Sequence, residues 1–193
     1  MCEYLIENTW HGDAIKSHDP VKLTLSASAD NKYIVVKVDA PFFNDPGIPN
    51  APAGEPCPQL WDYEVVEIFF LGEDTKYLEV ELCPHGQHLV LMLKGIKNII
   101  KDELELQYTV EKSEKRWTGE AKIPVEYLPP NVTLLNAYAI HGSGESRQYE
   151  ALYPANKEFD QPNFHRLQFF KPFEVNSLFP NLVANYVQSP HWA

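Results

Sequence analysis

The sequence predicts an all-β protein, an antiparallel sandwich or barrel. Three observations carry this prediction. Apolar and polar residues alternate with period two along most of the chain. The alternating stretches are short and are separated by Pro, Gly, Asn and Asp. Helical spacing is scarce, and 16 prolines among 193 residues interrupt the few places where it begins.

The strands follow in order. Val21–Ser26 is the first, and Tyr33–Asp39 turns Ile34, Val36 and Val38 inward. Glu64–Leu71 places Val66, Ile68 and Phe70 on one face and Val65, Glu67, Phe69 and Leu71 on the other. In Tyr77–Cys83, Leu78, Val80 and Leu82 face one way while Tyr77, Glu79 and Glu81 face the other; this second face is expected to meet solvent. His88–Lys94 follows the Pro84-His85-Gly86 break. Leu106–Lys112, Arg116–Ile123, Leu134–His141 and Leu167–Phe169 complete the strands, with Trp117 in the core beside Gly119 and Ala121. Pro124 to Leu128 predicts a single helical turn stopped by Pro129-Pro130.

Two loops stand out. Pro41 to Pro58 holds six prolines and leads into Trp61, so it is either a functional loop or a stiff crossover between sheets. Gly142 to Arg147 is polar and reverses the chain after His141. Residues 1–175 are expected to form one domain and 176–193 a tail. In that tail, Leu178, Leu182 and Tyr186 are interrupted by Pro180, which predicts irregular structure.

Composition narrows the function classes. Sixteen Lys and Arg against 27 Asp and Glu give a net charge of −11, the opposite of a nucleic-acid footprint and unfavourable on anionic membranes. The aliphatic run Leu89–Leu93 is too short to span a bilayer, and Met1 to Glu7 has neither basic start nor apolar stretch. Three widely spaced cysteines make no disulfide framework, so a reducing, cytoplasmic setting is expected. Cys57, between Pro56 and Pro58, is expected at the surface, with no basic neighbour to activate it.

Catalytic motifs are weak. His141-Gly142-Ser143-Gly144 lacks the spacing and the following helix of a nucleophile elbow. Cys83, His85 and His88 offer zinc donors, but no paired spacing supplies a fourth ligand. No metal, cofactor or catalytic residue is therefore expected. Glu67 is the informative carboxylate: its apolar neighbours demand a partner or a ligand. Trp61, at the mouth of the proline loop, is the best aromatic platform, with Tyr149 and Tyr153 further along the chain.

The blocks Leu60 to Phe70, Tyr77 to Leu91, Pro129 to Ser143 and Tyr149 to Pro154 resemble the family of the human chromosome 4 open reading frame 33 protein, nearly throughout the chain to Phe173. That resemblance transfers no activity. More distantly, Glu64 to Phe69, Tyr77 to Gly86, Trp117 to Pro124 and Leu152-Tyr153-Pro154 are similar in order to the motifs of carbohydrate-binding module family 9-like, DOMON-like domains. This implies a jelly-roll-like sandwich of two antiparallel sheets. It also implies a sugar clamped between two aromatics, Trp61 with the acid Glu67 and then Tyr153, with His88, His141 and Glu150 as polar contacts. The calcium-binding loop of some members has no clear match here, so calcium is not expected, and neither is haem.

Together these readings predict a non-catalytic module that binds a small ligand, a carbohydrate or similar polyol. Its site would be Trp61, Glu67, His88, His141, Glu150 and Tyr153 in one pocket, with Arg147 on the rim. The alternatives are a metal- or acid/base-dependent enzyme built on the His/Glu cluster, and a protein-interaction module.

Overall fold

The structure, a computed structural model, describes residues 1–180 and 189–193. Its strands are β1 (Cys2–Ile6), β2 (Asn8–Thr9), β3 (Val21–Ala27), β4 (Tyr33–Pro41), β5 (Val65–Leu71), β6 (Lys76–Leu82), β7 (His88–Lys94), β8 (Ile99–Lys101), β9 (Gln107–Lys112), β10 (Arg116–Pro124), β11 (Leu134–His141), β12 (Gln148–Ala151) and β13 (Lys171–Pro172). They form two antiparallel sheets. One runs β1-β3-β4-β10-β9; the other runs β2-β12-β11-β5-β6-β7-β8, with β13 on the start of β11. This is the predicted two-sheet sandwich.

The sheets enclose a core drawn from alternate positions of each strand: Leu23, Leu25, Ile34, Val36, Ile68, Phe70, Val80, Leu82, Val90 and Ala137 are all buried in it. Trp117 lies there too. Gly119 makes room for it: a Cβ at that position would stand 2.9 Å from the Trp117 ring and 3.0 Å from Tyr108. The single turn expected after Pro124 is a 3-10 turn, Val125–Tyr127. Val175, Leu178, Phe179 and Trp192 also join this core, and Trp192 Nε1 donates to the Tyr127 carbonyl at 3.2 Å. Residues 181–188, where part of the irregular tail was expected, lie outside the described residues.

The second sheet is buried on both faces. Its outer side carries a separate apolar cluster that includes Val65, Phe69, Tyr77, Leu89, Leu91, Tyr138 and Ile140, roofed by Leu60, Phe164 and Phe170. The near-continuous apolar run of β5 is the sequence mark of such a strand. Two expectations are corrected here. Glu79 and Glu81 do not meet solvent, because the proline loop and the segment around residues 159–170 cover that face. Cys57 is not at the surface: its N–H donates to the His88 carbonyl at 2.9 Å and its side chain enters the outer cluster. A third correction concerns Leu167–Phe169, which form a 3-10 turn rather than a strand. Three residues are too few for alternation to distinguish the two.

The proline loop is pinned along the start of β7. Gly54 donates to the Gly86 carbonyl, and the Gln87 amide donates to the Ala51 carbonyl at 2.8 Å. Gly86 has φ +98°, and a Cβ there would stand 2.9 Å from the Ala53 Cβ. Only glycine allows this approach. Among the described residues, no helix is long and apolar enough to cross a membrane.

Candidate functional site

Cys57 and Leu60 anchor the end of the proline loop in the outer cluster. Between Leu60 and Asp62 the chain makes a 3-10 turn, entered through Gln59 at φ 58°. The turn buries Leu60 and leaves Trp61 on the surface, 37 % exposed. Arg147 locks the turn in place, donating to the carbonyls of Trp61, of Asp62 at 3.0 Å and of Gly142 at 3.0 Å. Its guanidinium lies 5.6 Å from the centre of the Tyr149 ring.

Beneath Trp61 is a cavity of about 370 Å³. Glu67 and Glu79 lie at its base, Leu91, Leu93 and Ile140 form apolar walls, and Tyr149, Phe164 and His165 stand around it with Lys97. Tyr77 and His165 share a hydrogen bond of 2.7 Å, and the Tyr77 oxygen also accepts from the Lys97 N–H at 3.0 Å. Burial pulls the His165 pKa down to about 4, with Lys97 adding to the effect, so the ring is neutral at pH 7.

The base of the cavity is electrostatically unusual. Glu67, Glu79 and Glu81 are all buried, with carboxylate oxygens within 4.8 Å of one another. Among the described residues, one oxygen of Glu79 and both of Glu81 have no hydrogen-bond partner. Burial pushes Glu67 up to about 8 although Arg147 opposes it. Glu79 and Glu81 are pushed well above the carboxylate range by burial and then by their neighbouring carboxylates. The cluster therefore holds protons at pH 7. A protonated carboxyl both donates and accepts, as a hydroxyl does.

The residues expected in one pocket are divided by the sheet. Trp61 and Glu67 line the cavity, and Arg147 braces its rim. His141 and Glu150 alternate with Ile140 and Ala151 of the outer cluster, so they face the opposite side of the same sheet. There His141 Nε2 lies 2.9 Å from Glu150 Oε1. His88 is also on the inner side and fully buried, and burial lowers its pKa. Tyr153 packs against the inter-sheet core, 5.0 Å from the Lys171 ammonium, and does not line the cavity. Convergence of all six is thus corrected. Tyr153 follows the odd-residue face of β12 only as far as Ala151, where the strand ends, and the chain then turns inward.

Glu79, Phe164 and His165 were missed as cavity residues, while Tyr149, expected only as a further aromatic platform, lines the cavity. The signal for Glu79 is in the register: β6 pairs with β5, so Tyr77, Glu79 and Glu81 share the face of Glu67 and Phe69. The Cys83-His85-His88 motif does not converge. His85 is bonded to Asn44 and Lys112. A larger groove of about 590 Å³ crosses the open face of the first sheet. Among the described residues its lining has no aromatic ring, and its Lys22 and Lys37 are paired with Glu3 and Glu120.

Comparison with known proteins places the chain. It is 50% identical to the UPF0462 protein C4orf33 homolog of Mus musculus over 181 residues, covering 91% of this chain and 93% of that protein. It is 48% identical to UPF0462 protein C4orf33 of Homo sapiens, covering 91% and 89%, and 46% identical to the Danio rerio homolog. The chain belongs to the UPF0462 C4orf33 family. No protein-family model matches it. Among solved structures, a Bacteroides uniformis protein described as a "putative carbohydrate-binding protein" aligns with TM-score 0.66 at 14% identity, over 89% of this chain and 85% of that one. This likeness is one of fold, and it extends over most of this chain.

Proposed function

We infer that the chain is a non-catalytic binding module for a small polyhydroxylated ligand, a saccharide or related polyol, held in the cavity under Trp61. One observation carries the reading. Buried, proton-holding carboxyls with unpartnered oxygens lie at the base of a cavity ringed by aromatic faces. A buried polar group without a partner costs roughly 1–3 kcal/mol, so the site favours a guest that supplies hydrogen bonds. A sugar offers hydroxyls to Glu67 and Glu79 and an apolar C–H face to Trp61 and Tyr149. The description of the Bacteroides protein of similar fold as a "putative carbohydrate-binding protein" and the motif order of family 9-like modules support the same reading. The three cysteines, all free, suit a cytoplasmic setting.

The test is a calorimetric and thermal-shift screen of the purified chain against neutral mono- and disaccharides and inositols. The expected result is a saccharide that raises Tm and quenches tryptophan emission, both effects vanishing in Trp61→Ala with unchanged circular dichroism. Binding that survives Trp61→Ala overturns the assignment of the cavity.

A further inference from the structure

On the inner side of the second sheet, at its β12 end, three donors meet. Glu150 in β12 pairs with Ala139, and His141 in β11 pairs with Gln148, so both side chains stand on the same face as diagonal neighbours. Glu150 also pairs with Thr9 of β2, and the loop that follows β2 brings in His18. The Nε2 atoms of His18 and His141 each lie 2.9 Å from the same oxygen, Glu150 Oε1. The imidazole side chains are 11 % and 12 % exposed and the carboxylate 2 %.

Hydrogen-bond arithmetic makes this contact informative. His18 Nδ1 lies 2.9 Å from the Asp19 carbonyl oxygen. A carbonyl only accepts, so Nδ1 carries the proton. In a neutral ring Nε2 then presents a lone pair, and it presents it to a carboxylate oxygen that has only lone pairs. Either an additional proton sits between them or a cation does. The arrangement also matches a metal-ligating histidine oriented from behind, its distal N–H donated to a backbone carbonyl. A second observation points the same way: the other carboxylate oxygen, Glu150 Oε2, is buried and has no partner among the described residues. Phe43 fixes both rings, stacked on His141 at 3.6 Å and edge-on to His18 at 5.1 Å.

We propose that His18, His141 and Glu150 form a site for a divalent transition metal ion, zinc first among them. Two imidazole nitrogens and a carboxylate suit zinc, with bonds of about 2.0–2.2 Å. The donor atoms of the three residues already lie within 4.8 Å of one another, each imidazole nitrogen 2.9 Å from Glu150 Oε1. The fourth position falls to Glu150 Oε2 or to water. The sequence offers zinc donors at Cys83, His85 and His88, and His141 and Glu150 belong to the His/Glu cluster of the metal-dependent alternative; His18 escapes that reading because it comes from a loop 123 residues before His141. The site is separate from the cavity under Trp61, which lies across the sheet.

The test uses the full chain without a histidine tag, stripped with chelator and then titrated with Co²⁺ and Zn²⁺. The expected result is one ion per chain by elemental analysis, a visible Co²⁺ absorption band displaced by Zn²⁺, and a metal-dependent rise in Tm. His18→Ala removes a loop side chain without touching either sheet. It should weaken binding at least tenfold and abolish the band while circular dichroism is unchanged. Glu81→Gln, in the carboxyl cluster across the sheet, should leave the metal bound. Absence of binding at micromolar Zn²⁺, binding unaffected by His18→Ala, or binding lost in Glu81→Gln overturns the proposal.

Discussion

Glu67 and Glu81 stand directly opposite each other on β5 and β6, both buried, with no salt bridge to either among the described residues. Like charges in direct cross-strand register repel, and burial raises the cost of each. The pair persists because it is not a pair of charges at neutral pH. Both carboxyls are raised, Glu67 to about 8.

The sign of the pH dependence follows. A carboxyl whose folded pKa lies above its unfolded value binds its proton more tightly when folded. Its stabilising contribution is present at low pH and is lost as pH climbs from about 4.5 to about 8. Glu67→Gln keeps the shape and cannot ionise. Its Tm relative to wild type should rise through that window and then level off. A difference that is flat, or that falls with pH, removes the protonated cluster from the account.

Trp117→Ala empties the centre of the inter-sheet core and should destabilise by about 3–5 kcal/mol in denaturant titrations. Binding at the outer cavity should survive in the fraction that remains folded, because Trp117 is on the other side of the second sheet.

Gly86→Val combines a β-branched residue at φ +98° with a Cβ 2.9 Å from Ala53. The expected outcome is loss of the Gly54 to Gly86 hydrogen bond and release of the proline loop. Limited proteolysis should then cut within residues 41–58 at conditions that leave wild type intact. Equal resistance of the two proteins shows that the loop is held from elsewhere.

The fold was legible where the alternation is clear and the strand is long. Tyr33–Asp39, Tyr77–Cys83 and Arg116–Ile123 lie within β4, within a residue of β6, and within β10. The strands that escaped notice, β1, β2, β8, β12 and β13, have two to five residues each. Their pairing is fixed by neighbours rather than by their own pattern. The site was half legible. Glu67 among apolar residues and Trp61 after the prolines announced themselves locally. Whether β6 shows Glu79 and Glu81 to water is decided by loops distant in sequence, and no local period encodes that. The pairing of His18 with Glu150 is likewise a product of β2 joining β12.

The last prediction separates two aromatic partners for Trp61. Motif order points to Tyr153, but the cavity is lined by Tyr149. The alternation of β12 explains the difference. Tyr149 pairs with Ile140 and shares its outward face, so its ring reaches the outer cavity beneath Arg147. Tyr153 lies past the end of the strand, where its N–H donates to the Asn136 side chain and its carbonyl accepts from the same amide. Those bonds hold its backbone against the inner core, and burial raises its phenol pKa there. In titrations with a saccharide that binds wild type, Tyr149→Ala should lose at least tenfold in affinity, in keeping with a stacking contact worth about 0.5–1.5 kcal/mol beyond its buried area. Tyr153→Ala should bind as wild type while losing stability. The reverse pattern would move the ligand to the inner side of the sheet and make Trp61 a surface residue with no part in binding.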